Sequence, residues 1–409
     1  MPLLLALTAL GASCGPDPGV PPRIGPAPAP FVRLPYLQDV EPDRIAVRWR
    51  TEPDAASRLA WRRAGDSAWR PAPIEEGPAA GDRRAVLEGL AGSAAVEYRV
   101  TADGVTAGPH RFGPAPPDTS AGPVRALAFG DSGWGSDAQV ALAHRMEEAM
   151  ADHGWDVAVH VGDVAYPDGS ERDLTVRHFR VYADLLARVP FRPVPGNHDV
   201  RAAGGAPYDR AFGPPDRPDR RYWRHRRGQV LFVGLDTSTG AARDSLARRE
   251  GAQWRWLEAT LGEAAGDSTV AWTVAVIHYP LYSRGAGVAG HGGSEELREA
   301  LEPLFLRRGV DLVLAGHEHH YERSHPIRRG RRVEPGCGPV HLLTGGGGAA
   351  RFARSVAPGG HAARVSRSHH FVGLELWPGH GTGRVVDPEG RVIDRFRLVP
   401  YEPGRPSCD

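Results

Sequence analysis

Seven side chains able to hold a cation stand just beyond short apolar runs or beside glycines. Asp131 follows Ala126–Gly130, Asp163 and Tyr166 follow Val159–Gly162, and Asn197 sits in Gly196-Asn197-His198-Asp199. His278 follows Val274–Ile277, while His317 and His319 follow Leu312–Gly316. Carboxylate, amide oxygen and imidazole suit borderline first-row cations, and one carboxylate such as Asp163 can bridge two ions about 3.5–4 Å apart. The inventory therefore fits two metals. Gly130, Gly162, Gly196 and Gly316 each precede a candidate ligand, where a missing Cβ lets the backbone turn sharply. Asn197 is the only asparagine of the chain, and no lysine is present, which excludes a lysine nucleophile, a Schiff base or a P-loop lysine.

For these residues to meet, the apolar runs must be strands of one sheet system, because ligands of α/β proteins gather at the carboxyl edge of the strands. Val124–Gly130, Asp156–Val161, Val230–Leu235, Val270–Ile277 and Val310–Ala315 read as strands. Ser136-Asp137-Ala138-Gln139 reads as a capping box opening a helix, and amphipathic helices are expected near 171–188 and 250–262. Upstream, residues 31–113 alternate with period two between tight turns, as in Arg44–Trp49 and Val96–Val100, and predict a small β-sandwich that acts as a scaffold. A joint at Gly113–Pro117 leads into a layered α/β domain over 123–402.

Gly130-Asp131-Ser132-Gly133, Gly162-Asp163-Val164-Ala165-Tyr166, Gly196-Asn197-His198-Asp199, His278 after its strand and Gly316-His317-Glu318-His319 resemble, in order, the five motifs of the purple acid phosphatases within the metallophosphoesterase superfamily. The resemblance covers about residues 31–400; Pro35-Tyr36-Leu37-Gln38 and Trp49 suit the fibronectin-type-III-like sandwich that such enzymes often carry. It implies a four-layer α/β/β/α sandwich of the calcineurin-like phosphoesterase fold. It further implies that Asp131, Tyr166 and His319 hold Fe(III) with bridging Asp163, and that Asn197, His278 and His317 hold a divalent ion, iron, zinc or manganese. A phenolate from Tyr166 would give a violet charge-transfer band. The activity implied is an acid phosphatase, with in-line attack of a metal-bound hydroxide on the phosphorus of a small ester.

His198 is then the catalytic histidine near the leaving group, oriented by Asp199, and His291 of Gly290-His291-Gly292-Gly293 is a second substrate-side histidine. Arg323 reads as a surface residue rather than a pocket wall, His160 as structural, and Thr344–Gly348 as a flexible loop near the site. Residues 200–228 and 284–294 are expected to shape the mouth. The same metals would also serve a phosphodiesterase or nucleotide pyrophosphatase. An anchored binding protein with a vestigial site is the non-enzymatic alternative.

The 409 residues carry 41% apolar and 24% charged side chains, a globular composition, and a net charge of +1 gives no electrostatic reason to expect nucleic acid. Residues 2–12 are apolar and end in Gly11-Ala12-Ser13-Cys14, resembling a bacterial lipoprotein signal; this implies export and anchoring through lipidated Cys14. Seven prolines between Pro16 and Pro30 make a semi-rigid tether, so residues 1–30 form a leader and linker. Cys337 and Cys408 are expected to pair in an oxidising compartment. Oligomeric state is not legible in the sequence.

Overall fold

The computed structural model describes residues 24–39, 41, 43–91, 95–113, 122–213, 221–285, 292–351 and 360–408. The leader, Cys14, much of the tether, Pro114–Pro117 and His291 lie outside the described residues, as do parts of both mouth segments.

Residues 31–112 build two four-stranded sheets. One is ordered Phe31–Gln38, Arg44–Thr51, Asp82–Glu88, Glu75–Glu76, the other Arg70–Ala72, Ser57–Arg63, Val96–Ala102, Val105–Phe112. Their inward positions, among them Val47, Trp49, Leu59, Leu87, Val100 and Phe112, share one core, so this is the expected β-sandwich.

From Val124 onward two larger sheets lie face to face. The six-stranded sheet runs Phe191–Pro193, Val157–His160, Val124–Phe129, Phe371–Trp377, His380–Val386, Val392–Leu398. The seven-stranded sheet runs Trp223–Arg227, Val230–Gly234, Trp272–Val276, Leu312–Ala315, Val340–Thr344, Tyr321–Ser324, Ala362–Ser366. Strand alternation divides the labour: Val124, Ala126 and Ala128 face Val274, Leu312 and Leu342 between the sheets, whereas Leu127 and Phe129 turn outward onto Leu142 and Met146 of the helix Asp137–His153. On the far side, Val233, Ala275 and Val313 pack against Leu257 and Leu261 of Ala252–Gly266 and Leu301 and Phe305 of Glu295–Arg308. The result is the four-layer α/β/β/α sandwich.

Ser136 caps its helix as expected, accepting from the Gln139 N–H at 3.2 Å. The single helix expected over 171–188 is instead broken. A turn Glu171–Asp173 runs into a π-type segment Leu174–Phe179, closed by Arg180 N–H donating to Thr175 O, and helix resumes only at Ala183–Leu186. The wider turn keeps His178 and Phe179 buried among Phe191 and Phe212, so tertiary packing overrides the local 3.6-residue pattern. The sandwich grips this segment: Arg33 bonds Thr175 at 3.1 Å and Glu171, Tyr98 Oη donates to Ala187 O at 2.7 Å, and Arg48 donates to Arg210 O at 2.7 Å. Cys337 and Cys408 are bonded, tying the C-terminal tail to the α/β layers. Among the described residues no helix is long and apolar enough to cross a membrane.

Candidate metal centre

The carboxyl edges of the central strands bring the expected residues together. Asp131, Asp163 and His317 each leave their strand in the left-handed region, with φ of 51°, 54° and 70°. Non-glycine residues rarely adopt this conformation, and it persists only where surroundings enforce it. The enforcement is visible: Asp131 N–H donates to Gly162 O, Ser132 N–H to Asp163 O, and His317 N–H to the Asp131 carboxylate at 3.0 Å. A Cβ at Gly316 would stand 2.6 Å from Asp131 Oδ2, so only glycine lets the His317 turn approach.

The donors divide around the two oxygens of Asp163. On one side Asp163 Oδ2 accepts from Tyr166 Oη at 2.8 Å; Tyr166 Oη also lies 3.3 Å from Asp131 Oδ1 and 3.1 Å from His319 Nε2. On the other side, Asp163 Oδ1 lies 3.6 Å from His278 Nε2, while Asn197 Oδ1 lies 3.0 Å from that nitrogen and 3.1 Å from His317 Nδ1. Ligand atoms of Asp131, Asp163 and His278 all fall within 4.8 Å of one another.

Tautomers show what such crowding is for. His278 Nδ1 faces the Val161 carbonyl at 2.9 Å and His319 Nδ1 the Ala350 carbonyl at 2.7 Å, so in the neutral rings those nitrogens carry the protons. The lone pair of His278 Nε2 then points at an amide oxygen and a carboxylate oxygen. Acceptors facing acceptors are repulsive unless a cation sits between them, and second carbonyl partners of this kind are how metal-binding histidines are oriented. The donor set fits metal ions.

Charge tells the same story. Burial pushes the Asp131 carboxyl up, opposed by His319 and His278. Burial also opposes ionisation of Asp163, but His278, His198, His317 and the His198 N–H outweigh it and hold this carboxyl well below the usual range. The Tyr166 phenol is pushed far up by burial and then by the charges of Asp163 and Asp131. A bound cation would reverse that balance and favour phenolate.

His198 lies at the mouth, half-buried, its ring 4.3 Å from that of Tyr166. Asp199 does not orient it. The His198 ring is held through Nδ1 by the Pro167 carbonyl at 2.6 Å, whereas the wholly buried Asp199 carboxylate accepts from the N–H groups of Val164 at 2.9 Å, Ala165 at 3.2 Å and Gly196 at 2.8 Å. Asp199 thus ties the Asp163 turn to the Asn197 turn. Thr344–Gly348, expected as a flexible loop, is buried and fixed, with Gly347 N–H donating to Gly130 O and the adjoining Ala349 N–H to Asp131 O, both at 2.9 Å. Its glycines are small because the metal turns lie against them. Arg323 pairs with Asp394 at 2.8 Å over the Phe396 ring, and His160 is buried against Ser132 at 2.9 Å. Sequence reasoning missed Glu318, fully buried between two candidate ligands: it accepts the Gly292 N–H, and a Cβ on Gly285 would strike it, so it stands between the flanks of the segment carrying His291. Missed too was Tyr279, whose ring lies 4.1 Å from that of His317. Its only sequence signal is its place directly after His278.

Residues 124–321 match the calcineurin-like phosphoesterase family. That stretch contains all seven candidate ligands. Among similar proteins, an uncharacterised protein of Mycobacterium tuberculosis is 32% identical over 191 residues, covering 40% of this chain and 36% of the relative. Human acid phosphatase type 7 is 28% identical over 299 residues, 67% of each chain, and Arabidopsis thaliana purple acid phosphatase 21 is 29% identical over 280 residues, 65% of this chain and 58% of the other. This chain thus spans little more than a third of the mycobacterial relative. The fold is shared with the purple acid phosphatase PPD1 of yellow lupin seeds, at a TM-score of 0.78 and 20% identity over 90% of this chain and 74% of PPD1.

Proposed function

We propose that the chain is a binuclear metal-dependent acid phosphatase acting on small phosphate monoesters. The observation that carries this reading is the division of seven donors into two groups sharing Asp163, one oxygen of the carboxylate facing each. In this reading Asp131, Tyr166 and His319 hold Fe(III) with Asp163, and Asn197, His278 and His317 hold divalent iron, zinc or manganese with it. Such a pair, when bound, neutralises the ester's charge and makes water a nucleophile near neutral pH.

The protein's own part is orientation and proton supply. Asp199 fixes the separation of the two ligand turns through its backbone bonds. His198, its Nδ1 proton given to the Pro167 carbonyl, presents Nε2 as the acid for the departing oxygen. Burial holds this imidazole below its ordinary value, so the charged form prevails only on the acid side, in keeping with an acid phosphatase. His291 is read as a second substrate-side histidine. We read residues 1–30 as an export leader and tether that anchors the enzyme to the cell envelope through Cys14, residues 31–113 as a fibronectin-like scaffold and 123–402 as the catalytic unit.

The test combines metal analysis, the visible spectrum and turnover of p-nitrophenyl phosphate against its bis-aryl diester. Two ions per chain, a violet band abolished in Tyr166→Phe and preference for the monoester are expected. A metal-free, inactive protein overturns the reading, and preference for the diester reassigns the substrate.

A further inference from the structure

Two guanidinium groups beside the candidate metal centre form no ion pair with a carboxylate among the described residues. Arg201 follows the Asn197-His198 turn, its N–H donating to the His198 carbonyl at 3.3 Å. Its exposed guanidinium donates to the Pro167 carbonyl at 3.3 Å, the same oxygen that holds the His198 ring. Arg243, on the helix Gly240–Ala247, donates to the Thr237 carbonyl at 3.0 Å and lies 4.8 Å above the Tyr279 ring, which itself rests on His317. Most other arginines near this chain's surface clefts are spent on acids, as Arg221 is on Asp209 and Arg323 on Asp394. Among the described residues neither guanidinium is ion-paired with an acid: Arg243 bonds a main-chain oxygen and the Tyr279 side chain, and Arg201 bonds a main-chain oxygen and acts only at longer range on Asp168, whose carboxylate accepts the Ser170 N–H.

Tyr279 thus links Arg243 to His317, and the Pro167 oxygen links Arg201 to His198, so each guanidinium stands one contact away from the candidate centre. A phosphate centred on the metals would have its leaving group directed toward His198, and Arg201 shares that residue's anchor. Unpaired guanidinium donors beside an aromatic face suit an anion carried on a flat or short leaving group.

We propose that Arg201 and Arg243 with Tyr279 form a subsite for a second anionic group, making phosphate esters whose leaving group bears a further phosphate or carboxylate the preferred substrates. This deepens the phosphatase reading and rests on it.

The test compares phenyl phosphate, 4-carboxyphenyl phosphate and 1,4-phenylene bisphosphate on the metal-loaded full chain, with calorimetric titration of phenylphosphonate and 1,4-phenylenediphosphonate alongside. The bisphosphate is expected to exceed phenyl phosphate in kcat/KM by about tenfold or more, as two charge-assisted contacts would give, with the gain in KM and reduced by salt. In Arg201→Gln/Arg243→Gln that ratio is expected to fall to about 2, the statistical factor for two equivalent phosphates, and the diphosphonate to lose its tighter binding. The carboxyphenyl ester tells whether any anion suffices or a phosphate is required. A wild-type ratio no greater than the statistical factor, equal affinity for both phosphonates, or a double variant that weakens all ligands alike overturns the subsite. Selective diphosphonate binding without turnover of any ester would support the subsite while removing the hydrolase reading.

Discussion

The two halves of the centre share Asp163 and differ in charge. Asp131 and Tyr166 can each bring a negative charge to one side with neutral His319, whereas Asn197, His278 and His317 bring none of their own to the other. Asp131, Asp163, Tyr166, His278 and His317 are buried, with Asn197 and His319 partly so, and charge mismatch there is costly, so donor charge should select oxidation state. An anionic, oxygen-rich set suits a trivalent ion; an amide and two imidazoles suit a divalent one.

The largest effect expected to probe that contrast is Asp163→Ala, which removes the shared ligand. Metal analysis should find both sites depleted and kcat/KM reduced by about 10⁴-fold or more, since the halves then lose their common anchor. Retention of one tightly held ion would show the halves to be independent. Next, His278→Ala should strip the divalent ion while leaving the violet band, and Tyr166→Phe should abolish the band while leaving the divalent ion; the reverse pattern would exchange the assignment. His198→Gln should lower kcat by about 10²–10³-fold and flatten the decline of activity as pH rises through the histidine's depressed value. A retained decline would assign the proton to another group.

The smallest effect lies beside the centre. Glu322 is bonded by His320 at 3.2 Å, His361 at 2.8 Å and the Arg284 N–H at 2.8 Å; although burial opposes its charge, these partners hold it at about 2, below the unfolded 4.5. Its contribution is therefore present above pH 4.5 and lost as pH falls through about 2. Glu322→Gln should lower stability by about 1–3 kcal/mol at pH 6, with the difference from wild type vanishing at the acid end in denaturant melts.

The candidate ligands were legible because metal chemistry narrows the residue types and the α/β layout places them after apolar strands. Asp199 and Glu318 were misread or missed because each acts on backbone N–H groups distant in sequence, a role any acidic residue can fill and no spacing announces. The strands Phe371–Trp377, His380–Val386 and Val392–Leu398 escaped notice for a different reason: the last is half-exposed along most of its length, and its Arg395 and Arg397 dilute the alternation. The break at Leu174–Phe179 answers to aromatic packing that no local pattern encodes.

The left-handed turns at Asp131, Asp163 and His317 have a further consequence. Each costs about 1 kcal/mol that glycine would not incur, so an inert chain with glycines there would relax to a more comfortable backbone. A laboratory selection that rewarded heat resistance in the absence of cations would therefore erode the reactive centre first, and leave the layered framework intact.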